Sequence, residues 1–262
     1  MNLHFETAGN GPPLILLHGF GATRFTWRML VAPLAASHRV VLIDLLGFGD
    51  SPKPYDADYS IRAQSRRIEA FLDAHQLKDV TLVGHSLGGA VALMTALRLR
   101  DNGLVRSLVL IDTPAYRQPL PLFIRALRSL LGPALTEVVP AELQVKSVLK
   151  LAYFDNSAVP KASVRVYARA LRSPGAGRAL VQTARELIPL DIDAISLQYP
   201  QMRLPTLLVW GRHDEIVPLS TGARLARTLP HASLVVIERA GHLPQEETPS
   251  EVIRALTDFI GA

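Results

Sequence analysis

Three side-chain types that together can turn a hydroxyl into a nucleophile are spread along this chain of 262 residues: Ser86, Asp214 and His242. The serine stands in Gly84-His85-Ser86-Leu87-Gly88-Gly89, directly after the apolar run 80–83 and at the start of a long Ala/Leu stretch. A serine between glycines at a strand-to-helix junction sits in a tight turn that only small neighbours permit, and the turn lifts its hydroxyl above the sheet edge. A helix opening at Leu87 favours negative charge that develops beside its first turn. The hydroxyl alone is a weak nucleophile near neutral pH and needs an aligned base, itself held by an acid. His242, in Ala240-Gly241-His242-Leu243-Pro244, and Asp214, in Trp210-Gly211-Arg212-His213-Asp214, each follow a short apolar run. Serine, acid, histidine is one of the chain orders in which this chemistry occurs. Asp112, directly after the run 107–111, occupies a comparable place and is a second candidate for the acid.

Residues of this kind must be brought to the carboxyl ends of parallel strands, where open α/β sheets place their ligands. The runs 14–17, 40–43, 80–83, 107–111, 206–210 and 233–237 are short and rich in Val, Ile and Leu, as expected of strands buried on both faces. Helix-like stretches at 25–36, 60–75, 87–100, 220–229 and 249–260 lie between and after them. This alternation predicts one sheet with right-handed parallel crossovers. At Pro114 the rhythm breaks. Leu120, Phe123, Ile124, Leu127 and Leu131 follow helical spacing, and Val164, Tyr167, Ala168 and Leu171 make a second stripe beside Arg165, Arg169 and Arg172. The expectation is an α/β core of residues 1–113 and 201–262, interrupted by an all-helical segment, 114–200.

Composition narrows the chemistry. Hydrophobic residues at 48% and charged residues at 19% exclude a disordered or low-complexity chain. With no cysteine, disulfide frameworks, thiolate zinc sites, iron–sulfur clusters and cysteine nucleophiles are excluded. Lys and Arg total 28 against 23 Asp and Glu, and segment 114–200 holds 11 against 6, which is the whole excess of +5. These cations are interleaved with acids and no nucleic-acid motif accompanies them, so a solvated helical face is expected. Steering of anionic substrates by Arg165, Arg169 and Arg172 is the alternative. His213-Asp214-Glu215 has no second ligand cluster, so no metal is expected. Gly47-Phe48-Gly49 lacks the third glycine of a dinucleotide fingerprint and 84–89 lacks the lysine of a phosphate loop, so no cofactor is expected. No leader pattern opens the chain and no run approaches the ~18 apolar residues of a membrane span, so a soluble, cytoplasmic protein without membrane or nucleic-acid partners is expected.

Two further motifs follow the first two apolar runs: His18-Gly19-Phe20-Gly21 and Asp44-Leu45-Leu46-Gly47-Phe48-Gly49-Asp50-Ser51. With the three around Ser86, Asp214 and His242 in this order, the chain resembles the α/β-hydrolase fold superfamily, in its helical-cap branch, over essentially its whole length. The resemblance implies an α/β fold with a mostly parallel twisted sheet flanked by helices and a helical cap inserted after the sixth strand. It implies Ser86 as nucleophile, His242 as general base and then acid, and Asp214, ahead of Asp112, as the orienting acid. It also implies an oxyanion hole from the backbone N–H groups of Phe20 and Leu87. Relatives that attack haloalkanes or epoxides carry aspartate at the nucleophile position, so serine implies acyl chemistry on a small-molecule ester or thioester. Carbon–carbon hydrolases of the meta-cleavage type also use serine, but typically with Asn before it and a Trp in or near the cap. Here the preceding residue is His85, and Trp27 and Trp210 fall in the core segments. Acyl transfer and a non-catalytic receptor are the other readings. The cap is expected to line an apolar pocket through Leu120, Phe123, Ile124, Leu127, Tyr153 and Tyr167, with Phe20 and His85 from the core, although packing is an alternative role for each. A monomer or homodimer is expected.

Overall fold

The computed structural model describes residues 2–261. Seven strands form one sheet: β1 (Phe5–Ala8), β2 (Pro13–Leu17), β3 (Arg39–Ile43), β4 (Val80–His85), β5 (Val105–Ile111), β6 (Thr206–Gly211) and β7 (Ala232–Ile237). Their spatial order is β1-β3-β2-β4-β5-β6-β7, with β1 antiparallel to β3 and every other pair parallel. The alternation of side chains across the pleat divides the core into two layers. Leu14, Leu16, Val40, Leu42, Val109, Leu207 and Val209 face α1 (Arg28–Ala35) and α12 (Pro249–Ile260). Ile15, Leu17, Val41, Ile43, Leu82, Leu108, Leu110 and Leu208 face α2 (Ile61–Ala74), α3 (Leu87–Leu99) and α10 (Leu219–Thr228). Burial on both faces is what makes the central strands read as unbroken apolar runs.

Two expectations change. The edge strand β1 has no counterpart among the sequence-predicted strands, because its two middle residues, Glu6 and Thr7, are exposed and its pattern carries no apolar alternation. The helical insertion follows the fifth strand of this chain, not the sixth. Ahead of β2, residues 2–12 hold one short strand, β1, and a turn through Gly9 and Gly11, both at positive φ.

Between β5 and β6 the chain is helical: α4 (Leu122–Arg128), α5 (Gly132–Val138), α6 (Ala141–Ala152), α7 (Lys161–Leu171), α8 (Ala176–Arg185) and α9 (Ile192–Ser196). Pro121, Pro140 and Pro160 stand directly before α4, α6 and α7 with extended ψ angles, so each marks the start of the next helix, and Pro140 also keeps α5 from running on into α6. Ile124, Leu127, Ala179, Leu180, Val181, Ala184 and Ile195 join the same hydrophobic cluster as α3. The insertion therefore shares a core with the sheet domain. A short α11 (Pro244–Glu247) follows β7. Among the described residues, no helix is long and apolar enough to cross a membrane.

Candidate active site

Strand β4 ends at His85 and helix α3 begins at Leu87, so a single residue makes the turn between them. That residue, Ser86, has φ 51° and ψ −118°, a conformation a non-glycine side chain adopts only when its surroundings enforce it. The enforcement is visible on both sides. A Cβ on Gly88 would lie 2.1 Å from the carbonyl oxygen of Leu17, and one on Gly84 would lie 2.4 Å from that of Gly88. Ser86 N–H donates to the carbonyl of Ile111 at 2.9 Å, which anchors the turn to the neighbouring strand.

His242 lies in the loop after β7, with Nε2 2.9 Å from Ser86 Oγ and Nδ1 2.7 Å from Asp214 Oδ2. Asp214 lies in the loop after β6, where its Oδ1 accepts from the backbone N–H groups of Ile216 (2.8 Å) and Val217 (2.9 Å). Trp210 Nε1 donates to Val217 O at 2.9 Å and pins the same loop to the strand end. A carboxylate only accepts, so the imidazole proton sits on Nδ1 and the Nε2 lone pair faces the serine hydroxyl. The structure thus brings Ser86, His242 and Asp214 into one hydrogen-bonded line, all three buried.

Asp112 stands one place behind. It is fully buried at φ 45°, and its Oδ1 accepts from Gly211 N–H at 2.9 Å. Burial first, then the charge of neighbouring Asp214, pushes its carboxyl pKa well above the usual range, which favours the protonated form. The histidine is bonded to Asp214 and not to Asp112. His85 supports the site from the other side: its Nε2 donates to the carbonyl of His242 at 2.7 Å. Burial, with His242 adding to it, holds the His85 imidazole well below its ordinary pKa and therefore neutral. His18 is likewise buried, with its pKa lowered chiefly by burial, and its Nδ1 donates to Gly19 O at 2.8 Å while Nε2 accepts from Leu45 N–H. This fixes the Gly19–Phe20 turn against the nucleophile. A Cβ on Gly19 would sit 3.3 Å from Ser86 Cβ and 2.7 Å from His85 Nδ1. Ligating atoms of His85, Asp112 and His242 lie within 4.8 Å of one another; both ring nitrogens of His242 are bonded, to Asp214 and Ser86, while His85 Nδ1 and Asp112 Oδ2 have no hydrogen-bond partner.

The line opens on a cavity of about 530 Å³. Phe20, His85, Ser86 and Leu87 form its floor; Leu120, Phe123, Ile124, Leu127 and Tyr167 from the insertion form its roof. Tyr153, expected there, is not in the wall: its hydroxyl turns away to Glu246 at 3.2 Å. Tyr167 lines the cavity with its ring and bonds Glu246 with its hydroxyl. Among the described residues, no Lys, Arg, Asp or Glu is in the wall. Arg165, Arg169 and Arg172 are not in it either, and Arg172 pairs with Glu142 at the surface. Sequence reasoning missed the deep wall made by Ala90, Leu93, Met94 and Leu97 of α3, with Ile192, Ile195 and Tyr199 opposite. A signal was present, because α3 is apolar around nearly its whole circumference and the sheet covers only one side of it.

A family model described as the α/β hydrolase fold matches residues 12–249. The chain is 30% identical to the 2-hydroxy-6-oxo-2,4-heptadienoate hydrolase of Pseudomonas putida, over 100% of this chain and 92% of that protein. It is 27% identical to Lipase 1 of Psychrobacter immobilis, over 92% of this chain and 74% of the lipase. Among solved structures it is similar to a thermophilic esterase from Thermogutta terrifontis, with a TM-score of 0.82 and 27% identity over 99% of this chain and 93% of the esterase.

Proposed function

The chain belongs to the α/β-hydrolase fold family, and from that membership and the geometry above we propose that it hydrolyses carboxylic esters of neutral, apolar substrates through an acyl-enzyme on Ser86. The observation that carries this reading is the line Asp214–His242–Ser86 opening on a cavity with no Lys, Arg, Asp or Glu in its wall. His242 Nε2 takes the Ser86 proton as Oγ attacks the ester carbonyl, and Asp214 holds the resulting imidazolium. The oxyanion faces the backbone N–H groups of Phe20 and Leu87, one such donor being worth about 3–4 kcal/mol of barrier. His242 then protonates the departing alkoxide. In the second half, His242 takes a proton from the water that attacks the acyl-serine and returns it to Ser86 Oγ as the carboxylic acid departs.

The relatives divide between carbon–carbon and ester hydrolases, and the wall favours the second. The substrate named for the Pseudomonas putida relative is a carboxylate. In this cavity an anion would lose its hydration without meeting a Lys or Arg, at a cost of several kcal/mol. A thioester makes the same demands on the site as an ester and stands within the reading.

The test is turnover of p-nitrophenyl butyrate and octanoate by wild type and Ser86→Ala, beside a matched ester ending in a carboxylate and a 2-hydroxy-6-oxo-dienoate. The expected result is turnover of the neutral esters, a loss of about 10³-fold or more in Ser86→Ala, and kcat/KM at least about 100-fold lower for both anions. Equal rates in wild type and Ser86→Ala, or a preference for the dienoate, would overturn the proposal.

A further inference from the structure

Four residues past His242, Glu246 carries a carboxylate with no solvent exposure that is neither in the cavity wall nor among the reacting groups. Five side chains donate to it. Two belong to the sheet domain: Thr26 Oγ1 at 2.9 Å and Arg28 Nη1 at 2.8 Å. Three belong to the insertion: Ser163 Oγ at 3.1 Å, Tyr153 OH at 3.2 Å, and Tyr167 OH. A carboxylate offers about four lone-pair sites, and a buried one must fill them to offset its lost hydration. Most of that filling comes from the insertion.

The neighbouring groups extend the clamp. Glu247 accepts from the backbone N–H groups of Gly241 (2.9 Å) and Leu243 (3.2 Å), on either side of His242, and from Phe154 N–H at 2.7 Å. The N–H of His242 donates to the carbonyl of Ala152 at 2.6 Å, and a Cβ on Gly241 would lie 2.3 Å from that oxygen. The loop holding the base is thus gripped by the end of α6 and by α7, both parts of the insertion. From the sheet side, the His85 bond to His242 O braces that residue's main chain.

We propose that Glu246 is a positioning residue for His242 that acts through the insertion: the α6–α7 segment must be seated on its carboxylate for the imidazole to stay in line with Ser86. The proposal rests on the reading of Ser86 as nucleophile. Loss of the seat frees the loop, and a displacement of about 1 Å at a reacting group costs on the order of 10²-fold in rate. The remaining brace at His85 makes the expected loss about 10- to 100-fold.

Three variants test it, each measured for kcat and KM on p-nitrophenyl butyrate, with active sites counted by fluorophosphonate labelling of Ser86 and melting followed by circular dichroism. Glu246→Gln removes the charge and half of the acceptor capacity. The double variant Ser163→Ala/Tyr153→Phe removes two donors of the insertion and leaves the His242 loop and the cavity wall untouched. Val252→Ala, in α12 and remote from the insertion, supplies a matched loss of thermal stability. The expected result is kcat per labelled site about 10- to 100-fold down in the first two, with KM within about threefold, and wild-type kcat in Val252→Ala. Wild-type kcat per labelled site in Glu246→Gln and in the double variant would overturn the proposal. So would an equal loss in Val252→Ala, which would make the effect one of stability alone. If wild type neither hydrolyses esters nor takes the label at Ser86, the functional reading fails and the proposal falls with it, an outcome distinct from wild-type-like labelling and turnover in the variants.

Discussion

Replacing Asp214 with asparagine separates the chemistry of the acid from its contribution to folding. Oδ1 of Asp214 accepts two backbone N–H bonds, from Ile216 and Val217, at 2.8 and 2.9 Å. In Asp214→Asn the amide oxygen must keep that place, because an amide NH₂ there would face two donors. The NH₂ group is then forced into the position of Oδ2, 2.7 Å from His242 Nδ1, where it donates. Nδ1 must therefore present its lone pair, and the imidazole proton moves to Nε2, facing Ser86 Oγ at 2.9 Å. A base in that tautomer cannot take the serine proton. The cost expected of such a reversal is about 10⁴-fold in kcat, or about 5.4 kcal/mol of barrier. Folding should barely notice, since the substitution is isosteric, opens no cavity and keeps both backbone bonds. The assay is kcat on p-nitrophenyl butyrate with the melting temperature measured on the same preparations, Asp112→Asn serving as the comparison. In Asp112→Asn the new amide oxygen keeps the bond from Gly211 N–H, and its NH₂ takes the place of Oδ2, which has no hydrogen-bond partner. The kcat of that variant should stay within about tenfold of wild type. Asp214→Asn retaining more than a tenth of wild-type kcat, or Asp112→Asn losing as much as Asp214→Asn, would refute the assignment of the two acids.

Three other outcomes follow from the same geometry. Burial raises the Asp112 carboxyl pKa above the unfolded value of about 3.9, so its favourable contribution is full below about pH 4 and is lost as pH rises toward the folded pKa. Asparagine carries no titratable proton; Asp112→Asn should melt like wild type near pH 4 and increasingly above it as pH rises beyond that, and a gap that shrinks with rising pH would contradict this. Met94→Trp, two turns along α3 from Ser86 in the cavity wall, should take up room for about two methylenes at ~0.8 kcal/mol each. Relative kcat/KM for decanoate over butyrate esters should fall about 15-fold, and an unchanged ratio would place the acyl chain elsewhere. Arg165, Arg169 and Arg172 lie outside the cavity wall, so their combined replacement by alanine should leave kcat/KM for neutral esters within about twofold at low and high salt.

Much of this protein can be read from short-range chemistry. Strands β2 to β6 are legible because burial on both faces leaves mostly Val, Ile, Leu and their like to choose from, a constraint local to each run, while the half-buried edge strand β7 is legible from its Leu-Val-Val-Ile run. The junction at Ser86 is legible because its φ of 51° can be held only where flanking glycines make room, and glycine spacing survives in the sequence. β1 is not legible, since an exposed four-residue edge strand owes its existence to the partner that pairs with it. Tyr153 shows the same limit: its aromatic ring marks it as a candidate for the pocket, but only the packed structure decides that its hydroxyl turns to Glu246 and leaves the cavity to Met94, Leu97 and their neighbours.

The order of serine, acid and histidine, the apolar character of the strands and the helical nature of residues 114–200 were determined by the sequence alone, because each depends on residue type at close spacing. Tertiary structure decided which aspartate bonds His242, that burial raises the pKa of Asp112, and that a carboxylate four residues beyond the base gathers hydroxyls from the insertion. Those outcomes turn on desolvation and on distances between segments far apart in the chain. Neither quantity is written in any stretch of residues until the chain has closed on itself.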